Sequence, residues 1–187
     1  MSLFRFDDID KKDDAVVSAT VQTMRNVGAS NEGITEIIEL VKNNQLVTFL
    51  TNGKWSVHQL IVAIFMWFGK GKLSFTTWGL SEPPLRALQL LKEQGYITHL
   101  QAILDHRIRE RQPIAYQFFL GIADEYGFAK SHAKGYFIET DTHKISIIIT
   151  ANLNRNTKNE FGCVIIGTDT FDLYHQWITR HLQTIKE

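Results

Sequence analysis

The chain has 187 residues, 44% of them apolar and 21% charged, with twenty basic residues balancing twenty acidic ones. That length suits one good hydrophobic core, and the apolar fraction excludes a disordered chain. The neutral balance excludes a protein coated in positive charge, such as a histone-like DNA compactor, but not a local basic groove, because steering depends on where charges sit.

Residues 1–30 read as a short, peripheral N-terminal arm. The run Asp7-Asp8-Ile9-Asp10-Lys11-Lys12-Asp13-Asp14 has the texture of a solvated segment and lacks the apolar core of a secretory signal. Ala15 to Arg25 fits a short helix or a short strand equally. From Asn31 the pattern is regular, and residues 31–187 read as one domain. Ile34, Ile37, Ile38 and Val41 recur at helical spacing behind a cap at Ser30 or Asn31. Gln45 to Leu50 is a strand ending at the turn Asn52-Gly53. Ser56 caps a helix carrying Leu60, Ile61, Ile64, Phe65 and Phe68, halted by Gly69-Lys70-Gly71. The apolar stretch in it, Leu60 to Phe68, is well short of the ~20 residues that span a membrane. Leu73 to Thr77 is a second strand, and Glu82-Pro83-Pro84 opens a helix with the stripe Leu85, Leu88 and Leu91.

Ile97 to Leu104 is a third strand, and Pro113 to Tyr126 a third crossover helix stopped by Gly127. The texture then changes. Phe128 to Ile138, Lys144 to Thr150 and Phe161 to Ile166 are strand runs without a helix between them, and Thr170 to about Thr184 is a closing amphipathic helix. Strand–helix alternation followed by a strand cluster predicts an α/β fold: a mixed, largely parallel sheet sandwiched between helices. The single cysteine, Cys163, lies in the apolar run Cys163-Val164-Ile165-Ile166 and reads as a small hydrophobe. A lone thiol makes no internal disulfide, so nothing points to an oxidising compartment. With no signal and no membrane-length segment, the expected location is the cytoplasm.

The chemistry concentrates in Ser131-His132-Ala133-Lys134, then Thr150-Ala151-Asn152, then Asn159-Glu160-Phe161. Read as strand, His132 and Lys134 point the same way, as do Thr150 and Asn152, while Glu160 opens the next strand. Neighbouring strands would bring all five to one end of the sheet. Neutral imidazole can attack phosphorus, a lysine supplies a point charge to non-bridging oxygens, and Thr and Asn supply hydrogen bonds there. Glu160 is placed to accept the other imidazole N–H.

His-x-Lys, a hydroxyl-x-Asn triplet after an apolar strand, and Asn-Glu before a final strand together resemble the phospholipase D superfamily, from about Asn31 onward. The motif occurs once, as in its small dimeric bacterial endonucleases. The resemblance implies a metal-independent phosphodiesterase without a cofactor, in which two copies share one site and the second His132 protonates the leaving oxygen. The expected partners are a second copy and nucleic acid, with no membrane. Two positions depart from the family: its Asp after His-x-Lys reads Glu139, and its Gly-Ser reads Ile149-Thr150. Thr150 keeps the hydroxyl, and the placement of the Ile149 side chain separates an enzyme from a non-catalytic module that binds nucleic acid or protein. A phospholipid-hydrolysing lipase is the third reading.

Around this set, Arg107, Arg109, Lys130, Arg155 and Lys158 fit phosphate contacts of an extended substrate or a solvated basic surface equally, as does Arg111. Trp78 fits base stacking or packing. His99, Asp105 and His106 lack metal-ligand spacing, and His175 and His181 read as surface residues.

Overall fold

The computed structural model describes residues 27–30, 33–43 and 45–183. The charged run and Ala15 to Arg25 lie outside the described residues, as does Asn31. Strand β1 (Val27–Ser30) leads to helix α1 (Ile34–Asn43), β2 (Leu46–Leu50), α2 (Val57–Phe68), β3 (Gly71–Thr77), α3 (Glu82–Glu93) and β4 (Ile97–Asp105). Then come α4 (Ile108–Arg111), α5 (Pro113–Leu120), β5 (Glu125–Ala129), β6 (Gly135–Thr140), β7 (Lys144–Ile149), β8 (Phe161–Ile166) and α6 (Thr168–Gln183). The eight strands form one sheet in the order β1-β2-β8-β7-β6-β3-β4-β5.

The sheet is mixed and lies between helices, but it is less parallel than the alternation suggested. β1–β2, β3–β4 and β4–β5 pair in parallel, whereas β2–β8, β8–β7, β7–β6 and β6–β3 are antiparallel. The cause is insertion: the strand cluster from β6 to β8 enters between β2 and β3 and separates the two parallel pieces. Residues Val27–Ser30, expected in the arm, belong to the sheet edge.

Alternation along the strands divides the core. Leu73 and Phe75 of β3 and Ile145, Ile147 and Ile149 of β7 face α1, α2, α3 and α5 in the principal core. Ile103 of β4 and Phe137 of β6 face the other way, onto Phe171, Ile178 and Leu182 of α6. Ser56 starts α2: its backbone N–H is bonded by the Gln59 side chain at 2.9 Å, and Gly69 at φ 87 ends the helix.

The helix expected from Pro113 to Tyr126 is not continuous. Pro113 to Tyr126 divides into α5, a turn and the start of β5, so Tyr126 and Gly127 are strand residues. Asp124 makes the change of direction: its N–H donates to the Leu100 carbonyl at 2.8 Å, and its carboxylate accepts from the Leu100 N–H at 2.8 Å and Lys92 at 2.7 Å. These bonds to β4 and α3 replace the next helical turn.

Candidate active site

The carboxyl ends of β3, β4, β5 and β7 and the amino ends of β6 and β8 meet at one edge of the sheet. Two connections cross that edge, residues 130–134 between β5 and β6 and residues 150–160 between β7 and β8. His132 and Lys134 lie in the first connection, so strand alternation is not what brings them together. Instead the Lys134 ammonium folds back, donating to the His132 carbonyl at 2.7 Å and sitting 2.9 Å from Nδ1. The same ammonium lies 3.2 Å from Nε2, so it sits against both nitrogens of the ring. Burial lowers the Lys134 pKa below its ordinary value, and the negative charge of Glu160 opposes that shift. The Lys134 and Glu160 side chains therefore sense one another across the site.

Thr150, Asn152 and Glu160 also lie outside the strands, on the second connection. Thr150 Oγ1 donates to Glu160 Oε2, and Asn156 Nδ2 donates to Glu160 Oε1. Both carboxylate oxygens are thus engaged within the connection, and Glu160 makes no hydrogen bond to His132, contrary to the triad-like role expected of it. The backbone of Glu160 is tied to Thr51, with the Thr51 N–H donating to its carbonyl at 2.8 Å and its own N–H donating to Thr51 Oγ1 at 3.0 Å. Ser56 Oγ accepts from the Asn156 N–H at 2.9 Å, and Thr77 Oγ1 accepts from the Leu153 N–H at 3.1 Å. The connection is long, yet pinned along its length. Asn156 escaped notice in the sequence; its only signal is the spacing of four residues before Glu160 on a polar loop.

Trp78 joins the two connections. Its ring meets the His132 imidazole edge to face at 5.1 Å between centroids, and its backbone N–H donates to Asn152 Oδ1 at 3.2 Å. The guanidinium of Arg111 lies 3.8 Å and that of Arg107 5.6 Å from the centre of the same indole. Arg109 turns elsewhere, over the ring of Phe128 at 4.6 Å. Lys130, Arg155 and Lys158 are exposed. Arg155 and Lys158 lie on the connection that carries Thr150 and Glu160, Arg155 bonding through its N–H to Ser81 Oγ at 3.0 Å.

The two departures from the family pattern fall away from the chemistry. Ile149 is 5% exposed and belongs to the principal core, leaving the Thr150 hydroxyl at the surface. Glu139 sits toward the opposite end of β6, 3.6 Å from Lys72. His99 lies 3.8 Å from Asp124, and His175 Nε2 lies 3.1 Å from Gln101 Nε2, both remote from His132 along the sheet. Burial pushes the Cys163 thiol up, as suits a half-buried small hydrophobe. Among the described residues, no group of three or more His, Cys, Asp or Glu is placed to hold a metal ion, and no helix is long and apolar enough to cross a membrane.

No family model and no curated protein matches the sequence. Solved structures do. NucT from Helicobacter pylori superposes with a TM-score of 0.56 at 12% identity, covering 74% of this chain and 95% of that one. Polyphosphate kinase from Porphyromonas gingivalis superposes with a TM-score of 0.56 at 15% identity, covering 81% of this chain but only 27% of that longer one. At such identities the likeness is one of fold alone.

Proposed function

We propose that this chain is a metal-independent phosphodiesterase acting on nucleic acid, and that it supplies half of an active site completed by a second copy. The observation that carries the reading is the meeting of the His132–Lys134 pair and the Thr150–Glu160 pair at one sheet edge, once per chain. The neutral imidazole of His132 attacks phosphorus, forming the N–P bond as the bond to the leaving oxygen breaks. His132 of the partner subunit, protonated, gives its proton to that oxygen. Water then displaces the imidazole, its proton passing to the partner's His132, which the first step left neutral. Lys134, Thr150 and Asn152 stabilise the charge on the non-bridging oxygens. The placement of Ile149 in the core favours turnover over a binding-only role, since its bulk does not occupy the anion position.

The second copy has a surface to meet. Helix α6 packs on β3 to β7 but makes no comparable contact with β8, β2 or β1. No described helix covers that part of the face. It carries Leu50 at 45% and Phe161 at 65% exposure, and it opens into a recess of about 860 Å³ lined also by Thr48, Ile148 and Cys163. Thr150 lines the same recess, so the apolar surface runs directly into the half-site. An apolar patch beside an incomplete site suits a two-fold interface.

The test is cleavage of DNA and of a chromogenic phosphodiester in excess chelator. Cleavage that vanishes in His132→Asn, by a protein that sediments as a dimer, is expected. Cleavage surviving that substitution, or a strict monomer at micromolar concentration, overturns the reading. Activity on phospholipid vesicles with none on DNA moves the substrate to lipid.

A further inference from the structure

Behind Trp78 lies a charged cluster that the phosphoryl-transfer steps do not use. Asp105, at the end of β4, is 1% exposed, and its Oδ1 accepts from Arg107 Nε at 3.0 Å and from Arg111 Nη2 at 3.3 Å. Arg111 Nη2 also donates to the Trp78 carbonyl at 3.2 Å. Two guanidiniums share one carboxylate, so one positive charge is left over. Their side chains are 50% and 36% exposed, and the two terminal nitrogens of Arg107 make no hydrogen bond among the described residues. A buried carboxylate is a costly way to hold a surface loop when an apolar residue would do. What it achieves is aim: it fixes two planar donor groups against the indole that packs on His132.

We infer that Arg107 and Arg111 form a second anion subsite, which takes the phosphate next to the one being cleaved. The inference rests on the phosphodiesterase reading of His132 and names its substrate class: a chain of phosphodiesters, not a compound with one. Arginine suits this role because its fork grips two phosphate oxygens at once. The imidazole and both guanidiniums lie against the same indole, so a strand lying across Trp78 brings consecutive phosphates to His132 and to the arginines. Trp78 is then a wedge with a cation over it rather than a free platform for a base, and Arg109, stacked on Phe128, takes no part.

The experiment compares a p-nitrophenyl diester of thymidine, with one phosphate, against single-stranded oligothymidylate. Arg107→Gln leaves Arg111 bonded to both Asp105 and Trp78, so the clamp on the loop survives. This substitution lowers kcat/KM on the oligonucleotide about tenfold, mainly through KM, and leaves the one-phosphate ester within about twofold. Equal loss on both substrates, or loss on neither, overturns the subsite. A second readout does not need turnover: binding of labelled oligothymidylate to the His132→Asn protein at varied salt. Its logarithmic slope falls by about 0.7 for each arginine removed from the footprint. An unchanged slope overturns the subsite, whereas a changed slope with an inert wild type overturns only the phosphodiesterase reading.

Discussion

At the scale of single residues, the proposed mechanism divides the electrostatic work between a neutral donor, Thr150, and a charged one, Lys134. Thr150→Val keeps the shape of an exposed side chain and removes the hydroxyl that engages Glu160. The expected result is a loss of about ten- to a hundredfold in kcat with the melting temperature nearly unchanged, read by steady-state kinetics and thermal unfolding. Lys134 gives a pH signature. Its pKa lies below the ordinary 10.5 because of burial, and Glu160 holds it up. The cation, and with it the rate, is therefore lost at a lower pH than for an exposed lysine. Glu160→Gln removes the opposing charge and moves the alkaline limb of the rate profile further down; a limb that moves up contradicts the arrangement. The five candidate residues stand out in the sequence because their order along the chain is distinctive. Their contacts do not. His132 and Lys134 meet through a fold-back of the lysine, and Glu160 is held by Asn156, which no spacing rule singles out.

At the scale of elements, the pattern of apolar residues located most helices and strands, but it missed β1 and α4, ran β5 and β6 together and carried α5 too far. The stretch from Pro113 to Tyr126 has helical texture, but Asp124 ends it by bonding to β4 and Lys92. Asp124→Ala removes both contacts and is expected to lower stability by about 1–2 kcal/mol, the charge contribution being discounted because the side chain is partly exposed. In acid the sign is definite. Burial raises the Asp124 pKa and the Lys92 and Leu100 contacts more than reverse this, leaving it below the ordinary 3.8. Its contribution is full above that ordinary value and is lost as pH falls through the lower folded value, so the variant has a flatter stability curve below about pH 4. Gly162 makes a second element-scale test. A Cβ there would lie 2.5 Å from the Ile148 carbonyl and 2.9 Å from the Phe49 ring, inside the β7–β8 ladder. Gly162→Ala is expected to cost about 1–3 kcal/mol in denaturant unfolding, as backbone has no room to yield without breaking that pairing. Nothing in the sequence announced this need, since it depends on which strands are neighbours.

At the scale of the molecule, composition described the whole and hid the parts. A net charge of zero is the sum of a basic cluster near His132 and acidic residues elsewhere, and only the fold shows which cations gather at one edge. Sheet order was likewise out of reach, because insertion of β6 to β8 between β2 and β3 leaves no local trace. That insertion sets the edge where the two connections meet and leaves part of one face uncovered by any described helix, the two features on which the proposed half-site rests. The measurement that bears most directly on this is the mass of the protein trapped during turnover. An oligonucleotide reaction in excess chelator, quenched in alkali and digested, should yield a peptide containing His132 that carries a phosphoryl-linked fragment, labile in acid and missing from His132→Asn. Turnover with no adduct on any residue, or an adduct on a residue other than His132, would contradict the account.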